Sequence, residues 1–288
     1  MKKILCLGLL VGSIIGLTGC EVNREGLIDF TSFDYSQNVT VPKGILVEEG
    51  KLIVGTSPDY APYSFLDAEL TGLSKFQGSE SAIAMYVAQS LGLELEFKEV
   101  AFDGLTASLD NKSIDVIFSG LTYKASREEF YTFTETYYNS GDGGQVLVMQ
   151  KSDVNSYTSL EDINSSNVKV AAQNASLQYE LVESQLDSVN IQTIAAIADG
   201  VTLLKNGNVQ FLASSYTSAL AIVAANEDLV IVSSDIFEFS VLEYGTMGLL
   251  IKDSPLVEYI NKAIIAFDNN TYGQWLVEYQ EYADFISF

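Results

Sequence analysis

The chain has 288 residues, and its 38 aspartates and glutamates against 15 lysines and arginines give a formal net charge of −23 at pH 7. Such a negative surface argues against nucleic acid or anionic lipid as partners. Histidine is absent, which excludes Ser-His-Asp and Cys-His catalysis and every histidine-based metal site. We therefore expect no nucleic-acid partner, no metal and no cofactor, and we assign no catalytic residue.

The first residues have the layout of a secretory signal peptide. Lys2 and Lys3 precede an apolar run from Ile4 to Leu17, the order of charged and hydrophobic regions that such peptides have. The run is shorter than the roughly 20 apolar residues that a membrane-spanning helix needs. The segment is therefore expected to direct export rather than to span the membrane.

The apolar run ends in the residues LTGC at 17–20, which resemble the lipobox of bacterial lipoproteins. The resemblance implies cleavage before Cys20 and lipid attachment to Cys20, with the protein held on the extracytoplasmic face of the cytoplasmic membrane. Residues 1–19 are then the signal peptide. Residues 20–49 show no sustained hydrophobic period, and we expect them to form a lipidated tether. The alternative is an uncleaved signal anchor in which Cys20 has no role.

From residue 51 the hydrophobic pattern becomes regular. Ile83, Val87 and Leu91 lie four residues apart, on one face of a helix, and Gly92 follows as a stop. In chain order we predict a strand at 51–56, a helix at 79–91, a strand at 93–98, a short helix capped by Asp103 and a strand at 114–118. This order is typical of a mainly parallel sheet covered by helices.

A second series of the same kind begins after the glycine-rich segment 140–144. Strands are predicted at 145–150, 168–172, 190–194, 209–213 and 229–234, and helices near 160, at 176–185, 198–205 and 217–225. A last strand at 247–251 and helices at 255–268 and 271–282 can complete either unit. The pattern predicts an α/β protein with two units.

Arg127 is one of two arginines in the chain, and the other, Arg24, lies close to the N-terminus. Ser126 is expected to cap a helix that begins here, so that unpaired backbone N–H groups and a guanidinium meet in one place. Such a place suits a carboxylate. The alternative is a surface arginine paired with one of the neighbouring glutamates at 128, 129 and 135.

Two polar and two aromatic positions near predicted strand ends are further candidates. Thr122 and the backbone of Gly120 are expected to supply donors beside Arg127. Tyr60 and Phe102 follow predicted strands closely, and ligands of α/β proteins bind at the carboxyl ends of strands. The alternative for the two aromatic residues is a place in the core or in a loop anchor.

Three stretches resemble the polar-amino-acid solute-binding proteins of ABC importers, the bacterial extracellular solute-binding protein family 3. They are KLIVGTSPDYAPYSF at 51–65, FDGLTASLDNKSIDVIFSGLTYKASREEFYTFTETYY at 102–138 and GQVLVMQKS at 144–152. The resemblance implies a two-lobed periplasmic-binding-protein type II fold, in which a mainly parallel sheet flanked by helices forms each lobe and a two-stranded hinge joins them. Lobe 1 is expected at 50–142 plus 239–288, and lobe 2 at 143–238.

The same resemblance implies roles for individual residues. In the family, the first lobe supplies an aromatic wall, a small residue, a hydroxyl and an arginine that holds the ligand α-carboxylate; these positions fall on Tyr60, Phe102, Gly120, Thr122 and Arg127. The segment VAAQNASLQ at 170–178 resembles the family's second-lobe segment with a Gly-Thr pair before a helix. It places Ala175 and Ser176 in the carboxylate site.

The chain departs from the family at two positions. The acidic residue that usually takes the ligand's α-ammonium corresponds to Ser215, and a second acidic position common in the family corresponds to Ser57. Because a buried, unpaired ammonium costs several kcal/mol, another group must replace them or the ligand has no α-amine. Candidates for the replacement are Asp59, Glu80 or an aromatic face.

The resemblance implies the substrate-binding subunit of an ABC importer, without catalytic activity. The subunit captures a small carboxylate-bearing solute between closing lobes and presents it to membrane permease subunits; a monomer is expected. One alternative is an enzyme similar to cyclohexadienyl dehydratases on the same fold. A second alternative is a sensory solute-binding module that reports to a membrane kinase.

Overall fold

The structure, a computed structural model, describes residues 39–139, 144–241 and 245–283. The predicted signal peptide, Cys20 and most of the 140–144 junction lie outside the described residues. The described end of the predicted tether is packed on the folded body: Ile45 and Leu46 contact the first hydrophobic core, and the Val47 N–H donates to Asp115 Oδ1 at 2.7 Å. None of the helices in the described ranges combines the length and apolar character that a membrane span needs.

The first lobe is built from the N-terminal half of the described chain. In chain order it contains strands β1 (Lys51–Thr56), β2 (Asp59–Tyr60), β3 (Ser64–Leu66), β4 (Phe76–Gln77), β5 (Glu94–Glu99), β6 (Val116–Ile117) and β7 (Tyr131–Phe133), and helices α1 (Ser79–Ser90), α2 (Leu105–Asp110) and α3 (Ala125–Glu128). Strands β2, β3 and β4 form a small antiparallel sheet of their own.

The second lobe follows the crossing at residue 144. It contains strands β8 (Gln145–Gln150), β9 (Lys169–Gln173), β10 (Asn190–Ile194), β11 (Phe211–Ser215) and β12 (Leu229–Ile231), and helices α4 (Leu160–Ile163), α5 (Leu177–Gln185), α6 (Ile197–Lys205) and α7 (Tyr216–Ala225). The chain then returns to the first lobe through β13 (Leu249–Ile251), α8 (Leu256–Ala266) and α9 (Asn269–Ala283).

Each lobe has one five-stranded mixed sheet. The strand orders are β5-β1-β6-β13-β7 and β10-β9-β11-β8-β12. In each sheet three neighbouring strands pair in parallel, while β13 and β8 are antiparallel to both of their neighbours. The edge strands β7 and β12 therefore run in the same direction as those three. The expected mainly parallel arrangement therefore holds for one side of each sheet. The carboxyl ends of β1 and β11 lead directly into residues that face the other lobe.

Apolar residues on both faces of each sheet hold the lobes together. The helical face predicted from Ile83, Val87 and Leu91 is buried in the first core, where it meets Trp275 and Tyr279 of α9. In the second lobe, Phe211 and Leu212 alternate between two separate cores on opposite faces of β11. The alternation is the period of a strand that is covered on both sides.

Two predicted helix caps are wrong. Asp103 lies inside a 3₁₀ turn at Phe102–Gly104, and α2 begins only after that turn. Ser126 lies inside α3, whose N-cap residue is Lys124 and has no side-chain capping hydrogen bond. Ser176, in contrast, caps α5 through its side chain, as the predicted start of that helix requires.

Candidate ligand-binding site

A cavity of about 360 Å³ lies between the two lobes. Six of the nine candidate residues from the sequence line it: Tyr60, Phe102, Gly120, Thr122, Arg127 and Ser215. Both crossings between the lobes also contribute, through Gly144 on one and Glu238 to Val241 on the other. A space of this size holds a small solute of the size of an amino acid.

Arg127 is half-buried in the wall of this cavity. Its Nη2 donates to the Ala175 carbonyl of the second lobe at 3.0 Å, and its guanidinium carbon lies 5.8 Å from the ring centroid of Phe102. Burial is the largest influence on the pKa of Arg127 and lowers it. A guanidinium has five N–H donors, and among the described residues no carboxylate forms an ion pair with it. Arg127 can therefore still take an anion.

The neighbouring cation, Lys124, is occupied. Its Nζ lies 2.8 Å from Glu180 Oε1 and donates to the same Ala175 carbonyl at 3.1 Å. Lys124 does not line the cavity, so Arg127 is the basic residue among the described cavity-lining residues.

Tyr60 forms an aromatic wall together with a residue that the sequence analysis did not select. Its ring stacks on Tyr63 with centroids 5.1 Å apart and an angle of 17° between the planes. The Tyr60 hydroxyl interacts with Ser215, and burial raises the pKa of Tyr60 to about 12. The hydroxyl is therefore neutral at physiological pH, and the wall presents a flat apolar face.

Gly120 has a φ of +65°, and a Cβ at this position would lie 3.0 Å from the Tyr60 ring. Its N–H is hydrogen-bonded to Glu80, so a role as backbone donor to the ligand requires that this N–H be shared with Glu80. Glu80 has no exposed surface and also accepts hydrogen bonds from Tyr137 at 2.9 Å and from Tyr272. Burial raises the pKa of Glu80. Glu80 supports the loop at Gly120 from behind and does not line the cavity.

Thr122 lines the cavity beside Arg127. Its backbone pairs with Thr246 of the returning crossing in an isolated antiparallel bridge, which fixes its position between the two crossings. Thr246 lines the cavity as well. Within the described part of the chain the Thr122 hydroxyl makes no hydrogen bond, so it is available to a ligand.

The two second-lobe candidates lie beside the cavity rather than in its described lining. Ala175 has a φ of +62°, and its carbonyl is the acceptor for Arg127. The Ser176 Oγ accepts from the Tyr179 N–H at 3.0 Å as the cap of α5. The next two residues of that helix, Leu177 and Gln178, are the ones that reach the cavity.

The two serines at the family's acidic positions have different surroundings. Ser215 lines the cavity and caps α7 by accepting from the Ser218 N–H at 3.3 Å. Ser57 is buried outside the cavity lining, where its Oγ donates to Asp59 Oδ1 at 2.7 Å.

Asp59 joins the lobes instead of facing the cavity. Its Oδ2 accepts from Gln173 Nε2 at 2.9 Å and from the Ile197 N–H, the first residue of α6, at 3.2 Å. Burial raises the pKa of this carboxyl, and these hydrogen bonds oppose the rise. Neither Asp59 nor Glu80 is therefore free to replace the missing ammonium partners.

Further contacts between the lobes show that the structure is in a closed arrangement. The Ser218 Oγ donates to the Ala61 carbonyl at 2.8 Å in a buried contact, and Asn174 Nδ2 donates to Asp103 Oδ2 at 3.1 Å. Together with the Arg127–Ala175 bond, these contacts enclose the cavity from several sides.

Two polar cavity residues were missed by the sequence analysis. The Ser214 hydroxyl is buried and has no hydrogen-bond partner, so it adds an unused polar group to the wall. Glu238 is the acidic residue among the described cavity-lining residues. Neither residue belongs to a recognisable motif. The one sequence feature that could have indicated Ser214 is its position at the end of a predicted strand, β11, just before helix α7. Across the described ranges, no group of three or more histidine, cysteine, aspartate or glutamate residues is placed to hold a metal ion.

Two α/β lobes that close on a polar cavity are typical of solute-binding proteins. A family model described as bacterial extracellular solute-binding proteins, family 3, matches residues 52–281. The chain belongs to this family.

Individual relatives agree with this assignment. The chain is 30% identical over 186 residues, 64% of this chain and 66% of the relative, to a "Probable amino-acid ABC transporter-binding protein" of Haemophilus influenzae. It is 26% identical over 223 residues, 77% and 76% of the two chains, to the L-cystine-binding protein TcyA of Bacillus subtilis. Both are binding proteins, which agrees with the expectation that this chain is not an enzyme.

A solved structure confirms the two-lobed periplasmic-binding-protein type II fold. An amino acid ABC transporter substrate-binding protein from Streptococcus pneumoniae, bound to L-arginine, superimposes with a TM-score of 0.73 at 26% identity. The superposition covers 81% of this chain and 95% of that one.

Proposed function

We propose that this protein is the substrate-binding subunit of an ABC importer and captures a small carboxylate-bearing solute, an amino acid or a derivative, between its lobes. The observation that carries the proposal is Arg127, whose half-buried guanidinium has no described carboxylate within ion-pair distance; the Glu180 carboxylate acts on it only from farther away and is itself paired with Lys124. A desolvated cation without an anion is costly, and a ligand carboxylate removes that cost. The relatives named as binding amino acids support the same ligand class.

We expect an affinity near micromolar for such a site. Micromolar capture corresponds to about −8 kcal/mol, of which one hydrogen bond between charged groups supplies roughly 1.5–3 kcal/mol. Contact with the Tyr60 wall, the unused hydroxyls of Thr122 and Ser214 and the release of water supply the rest. Ala175 and Ser176 act on the ligand through Arg127 and through the start of α5.

The proposal includes the lobe boundaries and the membrane partner. Lobe 1 consists of residues 50–142 and 239–288, and lobe 2 of residues 143–238; the membership of β13 in the first sheet supports the return near 239. The closed lobes present one joint surface to the permease subunits, and the protein acts as a monomer.

Cys20 anchors the protein to the membrane through its lipid. The LTGC sequence at 17–20 supports this step. Incorporation of labelled palmitate by the full-length chain in a bacterial host tests it, with Cys20→Ser as the matched variant. Label in the wild-type chain and none in Cys20→Ser is expected; equal labelling of the two chains contradicts the anchor.

A thermal-shift screen tests the ligand class. The full-length chain, purified in a mild detergent, is heated with the common L-amino acids, L-cystine, pyruvate and 2-oxoglutarate. A compound present at 100 times its Kd adds about 2.7 kcal/mol of stability, and we expect a clear rise in Tm for at least one amino acid. If no compound of the panel raises the Tm, the proposed function is wrong.

A further inference from the structure

The described lining of the cavity contains one basic residue, Arg127, and one acidic residue, Glu238. The two lie on different parts of the chain: Arg127 is in α3 of the first lobe, and Glu238 is on the crossing that returns from the second lobe. A ligand carboxylate at Arg127 leaves the Glu238 carboxylate to interact with another part of the same ligand.

The Glu238 carboxylate is not used within the described protein. It forms no ion pair with a described lysine or arginine. The two acids considered above as replacements have their own partners, since Asp59 bonds to Gln173 and Ile197 and Glu80 bonds to Tyr137 and Tyr272. Among the described cavity-lining residues, Glu238 is thus the carboxylate that a cationic ligand group can reach.

The backbone holds Glu238 in place. The next residue, Phe239, is 3% exposed and donates its N–H to the Gln145 carbonyl at 3.4 Å, which fixes the crossing against β8. The glutamate side chain lies over Gly144, where a Cβ would come within 2.7 Å of Glu238 Oε1. The absence of a side chain at Gly144 therefore leaves the room that the carboxylate occupies.

We propose that Glu238 binds the cationic group of the ligand, an ammonium or guanidinium, in place of the acidic residues that Ser57 and Ser215 replace. The ligand then carries a carboxylate and a cation together, so it is an amino acid and not a simple organic acid. This inference rests on the proposed function, because it assumes that the cavity is the ligand site.

Glu238→Gln tests the inference on the full-length chain. Dissociation constants are measured by calorimetry for the L-amino acids, L-cystine, pyruvate and 2-oxoglutarate on wild type and variant. Because Glu238 is exposed, loss of its charge is expected to weaken amino-acid binding about fivefold and to leave pyruvate and 2-oxoglutarate unaffected. A loss for every amino acid that binds assigns Glu238 to the α-ammonium, and a loss confined to arginine and lysine assigns it to a side-chain cation.

Two further variants separate this effect from general changes in charge or fold. Glu227→Gln removes the same charge from an exposed residue outside the cavity lining and is expected to bind like wild type. Gly144→Ala keeps the charge but requires the Glu238 carboxylate to shift, and it is expected to show a smaller loss than Glu238→Gln with the same selectivity for amino acids. If the folded Glu238→Gln protein binds amino acids as tightly as wild type does, the inference is overturned and the proposed function stays intact. The same conclusion follows if the wild-type protein binds only pyruvate or 2-oxoglutarate. A wild type that binds none of the panel refutes the proposed function itself.

Discussion

Asp59 of the first lobe accepts a hydrogen bond of 2.9 Å from Gln173 of the second lobe. The same Oδ2 accepts from the Ile197 N–H at the start of α6, so one carboxylate oxygen joins two segments of the opposite lobe. Opening of the lobes would separate these groups and return the carboxylate to water. The contact therefore stabilises the closed arrangement specifically and contributes to ligand affinity without touching the ligand.

Asp59→Asn is expected to weaken ligand binding by about tenfold, because the neutral amide oxygen accepts these two bonds more weakly than the carboxylate oxygen does, and bonds to charged groups contribute roughly 1.5–3 kcal/mol. Calorimetry with the amino acid that wild type binds most tightly measures the change. The Tm without ligand should change little.

Asp103→Asn is the control for Asp59→Asn. Asp103 also bridges the lobes, but it is exposed and receives one bond, from Asn174 at 3.1 Å, and exposed contacts contribute little. Equal losses in the two variants would show that the burial of the Asp59 carboxylate has no particular role.

The buried Glu80 carboxyl makes the free energy of unfolding depend on pH, and the direction of its pKa shift gives the sign of that dependence. Burial raises the pKa of Glu80 in the folded state, so its contribution to stability is fully present below its unfolded pKa, about 4.3, and is lost as the pH rises through the folded value. Each unit of difference is about 1.4 kcal/mol. Glu80→Gln removes this group, so the wild-type free energy of unfolding should fall relative to that of the variant as the pH rises above 4.3.

Urea unfolding of both proteins at a series of pH values measures this difference. The Glu80 carboxyl is expected to remain bonded to Tyr137 and Tyr272 in either protonation state. A constant difference between wild type and Glu80→Gln across the series would show that the pKa of Glu80 is not raised.

Ala175 occupies a backbone conformation that favours glycine. Its φ of +62° costs an L-residue about 1–2 kcal/mol. Glycine does not have this strain, but it loses more conformational entropy on folding, so only part of the strain energy is regained. Ala175→Gly is therefore expected to raise the free energy of unfolding by about 0.5–1 kcal/mol. Ala107→Gly, in the interior of α2, should instead lower it by about 1 kcal/mol. A loss of stability in both variants would contradict the strain assigned to Ala175.

The regular elements of this protein were predictable because local pattern decides them. The strands at 51–56, 145–150 and 190–194 have the bounds that the alternating apolar residues indicate. The buried helical face at Ile83 and Val87 also follows from spacing alone. These segments are covered by core on at least one side, and burial reinforces what the sequence favours.

The two N-cap predictions, at Asp103 and Ser126, were wrong because tertiary contacts outweigh a local preference. A serine such as Ser126 favours an N-cap, but the N-cap of α3 is Lys124, two residues earlier, and Ser126 instead donates to Glu180 of the second lobe at 3.3 Å. Asp103 likewise bonds to Asn174 across the lobes. Both residues serve the contact between lobes, which no local pattern encodes.

Only part of the candidate site could be predicted, because some of its residues lie in local motifs and others are placed by tertiary contacts. Tyr60, Thr122 and Arg127 follow strands or begin helices in a recognisable motif, and the structure brings them to one cavity. The bond between Gly120 and Glu80 joins residues forty positions apart in sequence, and Glu238 reaches the cavity only because the chain crosses between lobes twice. Neither relationship leaves a local signal.

Arg127 gives the most direct test of the account. Calorimetry of the full-length chain compares wild type, Arg127→Ala and Arg127→Lys with the amino acid that wild type binds most tightly, and circular dichroism confirms that each variant is folded. Truncation of one partner of a buried charge pair costs about 2–5 kcal/mol, so we expect Arg127→Ala to lose at least about thirtyfold in affinity. Arg127→Lys should be intermediate, because a point charge cannot replace the two-pronged contact. A folded Arg127→Ala protein that binds the amino acid with wild-type affinity would contradict the account.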